Sequence, residues 1–288
     1  MSLFDQAFRP VGSTRRDSVL IALWISLILL AVIWIAPFVF ILFTSLKTTA
    51  EVMGSSAFAP PVTMATENYS SAWGRGDFST TALNSAIISA IKVPLGLFLS
   101  AMAAYALARI EMPLRKLAFV LVVFGTMILF QVMLAPIFRQ VNAFGLINTY
   151  PGIILPYLAF GVPYQVFILH GFFSSVPKEL SEAARIDGAG HFTIFRRIFL
   201  PISLPALSAL FILDFVATWN EFAMALVILQ NADMWTLPLG MMNFQSQFQS
   251  DYGQLNAAIV MTVLPAAIVY LMFQRYFVSG LTSGAVKE

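Results

Sequence analysis

Three groups of residues in this chain could do chemistry. Lys92 and Asp214 are ionisable side chains set inside long apolar runs. Trp219, Asn220 and Glu221 stand together in "TWNEF", an aromatic and polar set that suits a sugar, with a ring to stack and groups to hydrogen-bond. Glu182, Arg185, Asp187, Arg196 and Arg197 crowd into "EAARIDGAGHFTIFRRIFLP", between two apolar stretches. A charge at mid-bilayer costs about 2.5 kcal/mol or more and marks a functional position by default. Lys92 and Asp214 fall near the middle of their runs, so they should lie at similar depth. Two readings stay open. The two charges pair with each other or another buried partner, or Lys92 faces a translocation path and meets an anionic group on a substrate. Trp219 fits an interfacial aromatic belt as well as it fits a sugar.

The elements that must position these groups follow from composition. The 288 residues are 59% hydrophobic and 10% charged, where about 25% charged is usual in a soluble domain. So much apolar surface calls for a bilayer as solvent. No cysteine occurs, which excludes disulfides, thiol catalysis and cysteine-ligated metal. A net charge of +2 gives no reason to expect nucleic acid. About 20 apolar residues cross a membrane as a helix. Six runs qualify: 19–46, 82–108, 117–138, 150–173, 201–229 and 256–273. Period-two alternation is absent, so a β-barrel is not expected. The first run is too long for a secretory signal and has no small-residue cleavage site, so it reads as a retained helix.

Lys and Arg set the orientation. With the N-terminus cytoplasmic, the inner segments hold Arg9, Arg15, Arg16, Arg109, Arg115, Lys116, Lys178, Arg185, Arg196, Arg197, Arg275 and Lys287. The outer segments hold Lys47, Arg75 and Arg139. Twelve cations against three place both termini, and the loop between the fourth and fifth spans, in the cytoplasm.

That loop reads as a helix with explicit ends. Ser175 is a cap and Pro177 suits a first turn. Glu179 and Glu182 match the positive end of the helix dipole. Gly188 supplies a left-handed C-terminal position. Leu180, Ala183, Ala184 and Asp187 share one face, small enough for close approach by another protein. A second short helix is expected over roughly 192–199, before Pro201 opens the fifth span.

Glu182, Ala183, Ala184, three residues, Gly188, nine residues, Ile198, one residue, Leu200 and Pro201 together resemble the EAA loop of the membrane subunits of ABC importers. The resemblance extends over nearly the whole chain. "NYSSAW", "NSAIIS", "AAYALAR", "GLINTYPGIILPY", "WNEF", "TLPLGMMNFQ" and "QRYFVSGLTSGAVKE" are similar to the maltose-type carbohydrate permeases, and the six-span size matches the smaller of their two subunits. The resemblance implies an all-α, polytopic fold of the type I importer class: a cytoplasmic segment 1–18, a six-helix domain 19–277 with the coupling loop at 175–201, and a cytoplasmic tail 278–288.

The resemblance also implies roles. Glu182, Ala183, Ala184, Arg185, Asp187 and Gly188 would enter a cleft of an ATPase subunit. Gly280, Leu281, Thr282 and Gly284 of the tail would touch the ATPase dimer. Partners would be a second permease, two ATPase subunits that bind ATP and Mg, and an extracytoplasmic solute-binding protein. The setting would be a bacterial or archaeal cytoplasmic membrane, and the cargo a saccharide. Lys92 departs from the small or apolar residue usual at its position, which would suit an acidic sugar such as a uronate. Lys92, Asp214, Trp219, Asn220 and Glu221 are the candidate substrate-path residues. No G-x-x-x-x-G-K-[ST] loop occurs, so ATP hydrolysis by that chemistry is not expected in this chain, nor is metal at its two histidines, His170 and His191. The alternative class is a secondary transporter of a small polar or anionic solute, with Lys92 and Asp214 as a midplane relay. It leaves the EAA spacing unexplained.

Overall fold

The computed structural model describes residues 14–56, 58–244 and 251–285, with side chains described over 20–56, 58–244 and 251–274. Among the described residues the elements are helical, without strands. Four helices are long and apolar enough to cross a membrane unbroken: Thr14–Ser45, Phe78–Arg109, Tyr150–Ser175 and Tyr252–Ala285. Two further spans are bent pairs, giving six if each pair counts as one.

Two of the six runs are broken by bends. The run 117–138 is not one helix. Arg115–Phe124 passes through a tight turn at Gly125–Met127, and the chain leaves at 100° as Phe130–Ala143. Ile128 and Leu129 are extended there, and a Cβ on Gly125 would stand 3.1 Å from Pro163 of the fourth span. The run 201–229 is also broken. Its helix Leu204–Trp219 ends at Asn220, and a short helix Ala223–Ile228 follows. The expected boundary near residue 278 falls inside a continuous helix, since the sixth span runs on to Ala285.

The second and fourth spans form the centre. Small buried residues on the second, among them Gly96, Ser100, Ala101 and Ala104, let it approach the fourth closely. A Cβ on Gly96 would already touch Leu158 at 3.2 Å. At one end of the bundle a core of Tyr105, Phe173, Ile194, Phe195, Phe199 and Leu210 joins the second, fourth and fifth spans to the loop between the last two. At the other side Ile88, Ile153, Tyr157, Met224 and Ile228 form a second core. The first span is different: through most of its length it is exposed on every face, and only its last turns pack.

The connections at the other end of the bundle are tied by side-chain amides. Asn84 donates to the carbonyls of Asp233 and Trp235, both at 2.9 Å, and accepts from the Tyr150 hydroxyl at 2.8 Å. Asn148, left-handed at φ 58°, accepts from the backbone N–H groups of Gln230 and Asn231. The second span starts behind another left-handed residue, Asp77, whose carboxyl is held below the usual range chiefly by the hydroxyls of Thr80 and Ser79.

Candidate translocation cavity and coupling loop

Two places in this frame carry polar chemistry. The first is a cavity of about 320 Å³ between the second, fourth and fifth spans. Lys92 and Asp214 meet at its wall, Nζ donating to Oδ1, with 4% and 9% of each residue exposed. The first of the two readings left open therefore holds: the charges pair, while still lining a cavity. Gln165, 1% exposed, lies beside them, its Oε1 accepting from Ser100 Oγ at 2.8 Å. Gly161 brings the fourth span's backbone up to this group. A Cβ there would stand 3.1 Å from Lys92 Nζ, 3.4 Å from Asp214 Oδ1 and 3.6 Å from Gln165 Nε2. Among the described residues, Asp214 Oδ2 and Gln165 Nε2 are buried without a hydrogen-bond partner. Tyr157, Phe160, Tyr164 and Phe130 supply aromatic wall.

Glu221 also lines the cavity, but its carboxylate is committed. It accepts from the backbone N–H of Met224 at 2.8 Å and of Ala225 at 3.1 Å, which start the short helix Ala223–Ile228. A carboxylate there satisfies orphan donors and complements the positive helix end. The Tyr157 hydroxyl donates to Oε2, the oxygen that also accepts from Ala225. Glu221 thus braces the break in the fifth span. Trp219 and Asn220 do not reach the cavity, which corrects the sugar-stacking reading of "TWNEF". The Trp219 indole is buried against the sixth span and donates to Thr262 O at 3.0 Å. The Asn220 amide turns back onto Val216 O at 2.9 Å. Gln165, Gly161 and Tyr157 are the members that inspection of charges missed. A lone glutamine in an apolar span was the available signal.

The second place is the loop between the fourth and fifth spans. Ser175 does not cap its helix. It ends the fourth span, Oγ donating to Phe172 O at 2.8 Å, and the helix proper is Glu179–Ile186. Ser181 and Ala184 face inward, while Glu182, Ala183, Arg185, Ile186 and Asp187 are exposed. The free face is therefore Glu179, Glu182, Ala183 and Ile186 at helical spacing, instead of one containing Ala184. Ile186, overlooked in the sequence, is 87% exposed.

Gly188 has φ +79°, and an added Cβ would meet nothing within 4 Å. The glycine is needed for its backbone. The N–H of Ala189 reaches Ala184 O at 2.9 Å and that of Gly188 reaches Arg185 O at 3.0 Å, the paired bonds of a Schellman end. The expected helix over 192–199 is His191–Ile194 widening into a π-helical turn, Phe195–Phe199. Arg109 locks this assembly to the bundle. Its Nη2 donates to the carbonyls of Phe173 and Val176, at the C-terminal end of the fourth span, and its guanidinium lies 5.0 Å from the centre of the Phe199 ring.

Residues 92–283 match the family model described as "Binding-protein-dependent transport system inner membrane component". The chain belongs to this family. It is 40% identical to the diacetylchitobiose uptake system permease protein of Streptomyces coelicolor, over 91% of this chain and 87% of that one. It is 34% identical to the arabinooligosaccharides transport system permease protein of Bacillus subtilis, over 93% and 95%. Its fold is shared with a chain of a bacterial ABC transporter involved in import of the acidic polysaccharide alginate: TM-score 0.83 at 23% identity, covering 93% of this chain and all of that one. This inner-membrane transport component thus carries both of its polar places, from Lys92 through the loop, inside the matched region. Gly280, Leu281, Thr282 and Gly284 lie on the backbone of the last helix, and their side chains are outside the described residues.

Proposed function

We propose that the chain is the non-catalytic, path-forming subunit of an ATP-driven oligosaccharide importer. It pairs with a second permease, stands on two ATPase subunits that bind ATP and Mg, and receives cargo from an extracytoplasmic solute-binding protein. The observation that carries this reading is the exposed helix Glu179–Ile186, ended by Gly188 and held to the bundle by Arg109. A surface helix with an uncovered isoleucine, fixed to two spans at its root, is built to be pushed. Movement of the ATPases passes through Phe195 and Phe199 into the fourth and fifth spans, which line the cavity. Nucleotide and cargo then bias one two-state equilibrium. The oligosaccharide class is supported by the names of the two relatives.

In this reading both termini and the coupling loop are cytoplasmic, in a bacterial or archaeal membrane, and the helix end at 280–284 reaches the ATPase dimer. The pairing of Lys92 with Asp214 cancels the charge that pointed to an acidic cargo, so this subunit gives a uronate no net positive wall.

The test is reconstitution. The assembled complex in liposomes is expected to take up oligosaccharide only with ATP inside and loaded binding protein outside. A cysteine at Glu182 should label from the ATP side and one at Asn231 from the other, with no background because the chain has no cysteine. Uptake by the chain alone, driven by a proton gradient and indifferent to ATP, would establish the secondary-transporter reading instead.

A further inference from the structure

The wall of the cavity holds an unusual combination. Asp214 gives one carboxylate oxygen to Lys92 and leaves Oδ2 without a donor. Gln165 gives Oε1 to Ser100 and leaves Nε2 without an acceptor. Both residues are more than nine-tenths buried, and both line the cavity. Buried polar atoms are costly unless something satisfies them. Here one acceptor and one donor remain, beside a charge pair that is already neutral. Gly161 sets the fourth span's backbone against this group, where an added Cβ would stand 3.1 Å from Lys92 Nζ, 3.4 Å from Asp214 Oδ1 and 3.6 Å from Gln165 Nε2.

We propose that this wall is a subsite for two neighbouring hydroxyls of an uncharged sugar unit, so that this subunit selects neutral cargo. One hydroxyl donates to Asp214 Oδ2. The next accepts from Gln165 Nε2. A hydroxyl can do either, whereas a second carboxylate brought to Asp214 would be repelled and has nothing to donate. Tyr157 and Tyr164, on the same wall, give the unit an aromatic side surface. Lys92 is a positioning residue: it holds Asp214 by Oδ1, and its charge is matched by that contact. The proposal rests on the oligosaccharide reading above and adds the charge class and the contacts.

The experiment uses the full reconstituted complex, with neutral and uronate oligosaccharides of equal length and a set of monodeoxy analogues of the neutral one. Wild-type uptake of neither saccharide would overturn both readings together. Given neutral uptake, Gln165→Leu is expected to lower it about tenfold, with assembly and ATP-stimulated turnover retained, as befits one hydrogen bond to a buried amide. Gly161→Ala, which adds a single methyl in front of the wall, is expected to act in the same direction. The decisive arm is the analogue set. One deoxy position should cost the wild type about tenfold and cost Gln165→Leu little further, because the two changes remove the same bond. Uptake indifferent to both substitutions, deoxy losses that simply add to that of Gln165→Leu, or preferential uronate uptake that depends on Lys92 would each overturn the subsite while leaving the importer reading intact.

Discussion

The cavity wall and the coupling loop treat charge in opposite ways. In the wall, Lys92 and Asp214 are matched inside the chain and nearly removed from solvent. In the loop, Glu182, Arg185 and Asp187 are exposed, and the ion pair between Lys92 and Asp214 is the one found among the described residues. The difference follows from solvation. A lone charge in the bundle has no water to answer it, so its partner must come from the same polypeptide. A charge at the membrane surface is hydrated and can wait for a partner on another subunit. Arg109 sits between these regimes, with its guanidinium spent on two helix-end carbonyls and an aromatic ring.

Substitutions sharpen that contrast, and the largest effect belongs to the wall. Lys92→Met leaves a buried carboxylate alone and is expected to cost about 3–5 kcal/mol. Folded yield and thermal unfolding of the detergent-extracted complex measure it. Lys92→Met with Asp214→Leu should recover most of the loss. A double variant no better than the single one breaks the idea that the pair is matched internally.

Arg109→Leu should come next, at about 2 kcal/mol, since a charged donor to two carbonyls is lost. Its particular sign is a raised ratio of ATP consumed to sugar delivered, because the root of the coupling helix loosens. If stability falls while that ratio stays constant, Arg109 holds the fold without transmitting movement.

Ile186→Ser should be the mildest for the subunit itself, within about 0.5 kcal/mol as for surface positions. It should nevertheless weaken ATPase binding several-fold in a pull-down titration. A variant that binds the ATPase as tightly as the parent means the free face lies elsewhere on the loop.

The sequence was legible wherever a physical requirement leaves a pattern along the chain. Run length reveals a span because bilayer thickness demands it. Gly188 announces a helix end because only a few residue types take that backbone conformation freely. The breaks were invisible for the complementary reason. Gly125, Thr126 and Met127 turn the chain without lowering its apolarity, so hydropathy passes over the bend. Glu221 looked like a sugar ligand because its type is suited to either task. Only the nearby N–H groups of Met224 and Ala225 decide between them. Gln165 leaves no mark in the pattern of charge, because its unmet hydrogen-bond donor lies on an uncharged amide.

The bare first span has a consequence for how this protein drifts in sequence. Trp24, Ile33 and Trp34 touch no core, and their exposure exceeds 60%. Over most of the helix this chain asks only for length and oiliness, a specification that a great many strings of residues satisfy. Exchange of one large apolar residue for another along this stretch is therefore expected to leave the packing of the rest of the chain as it is.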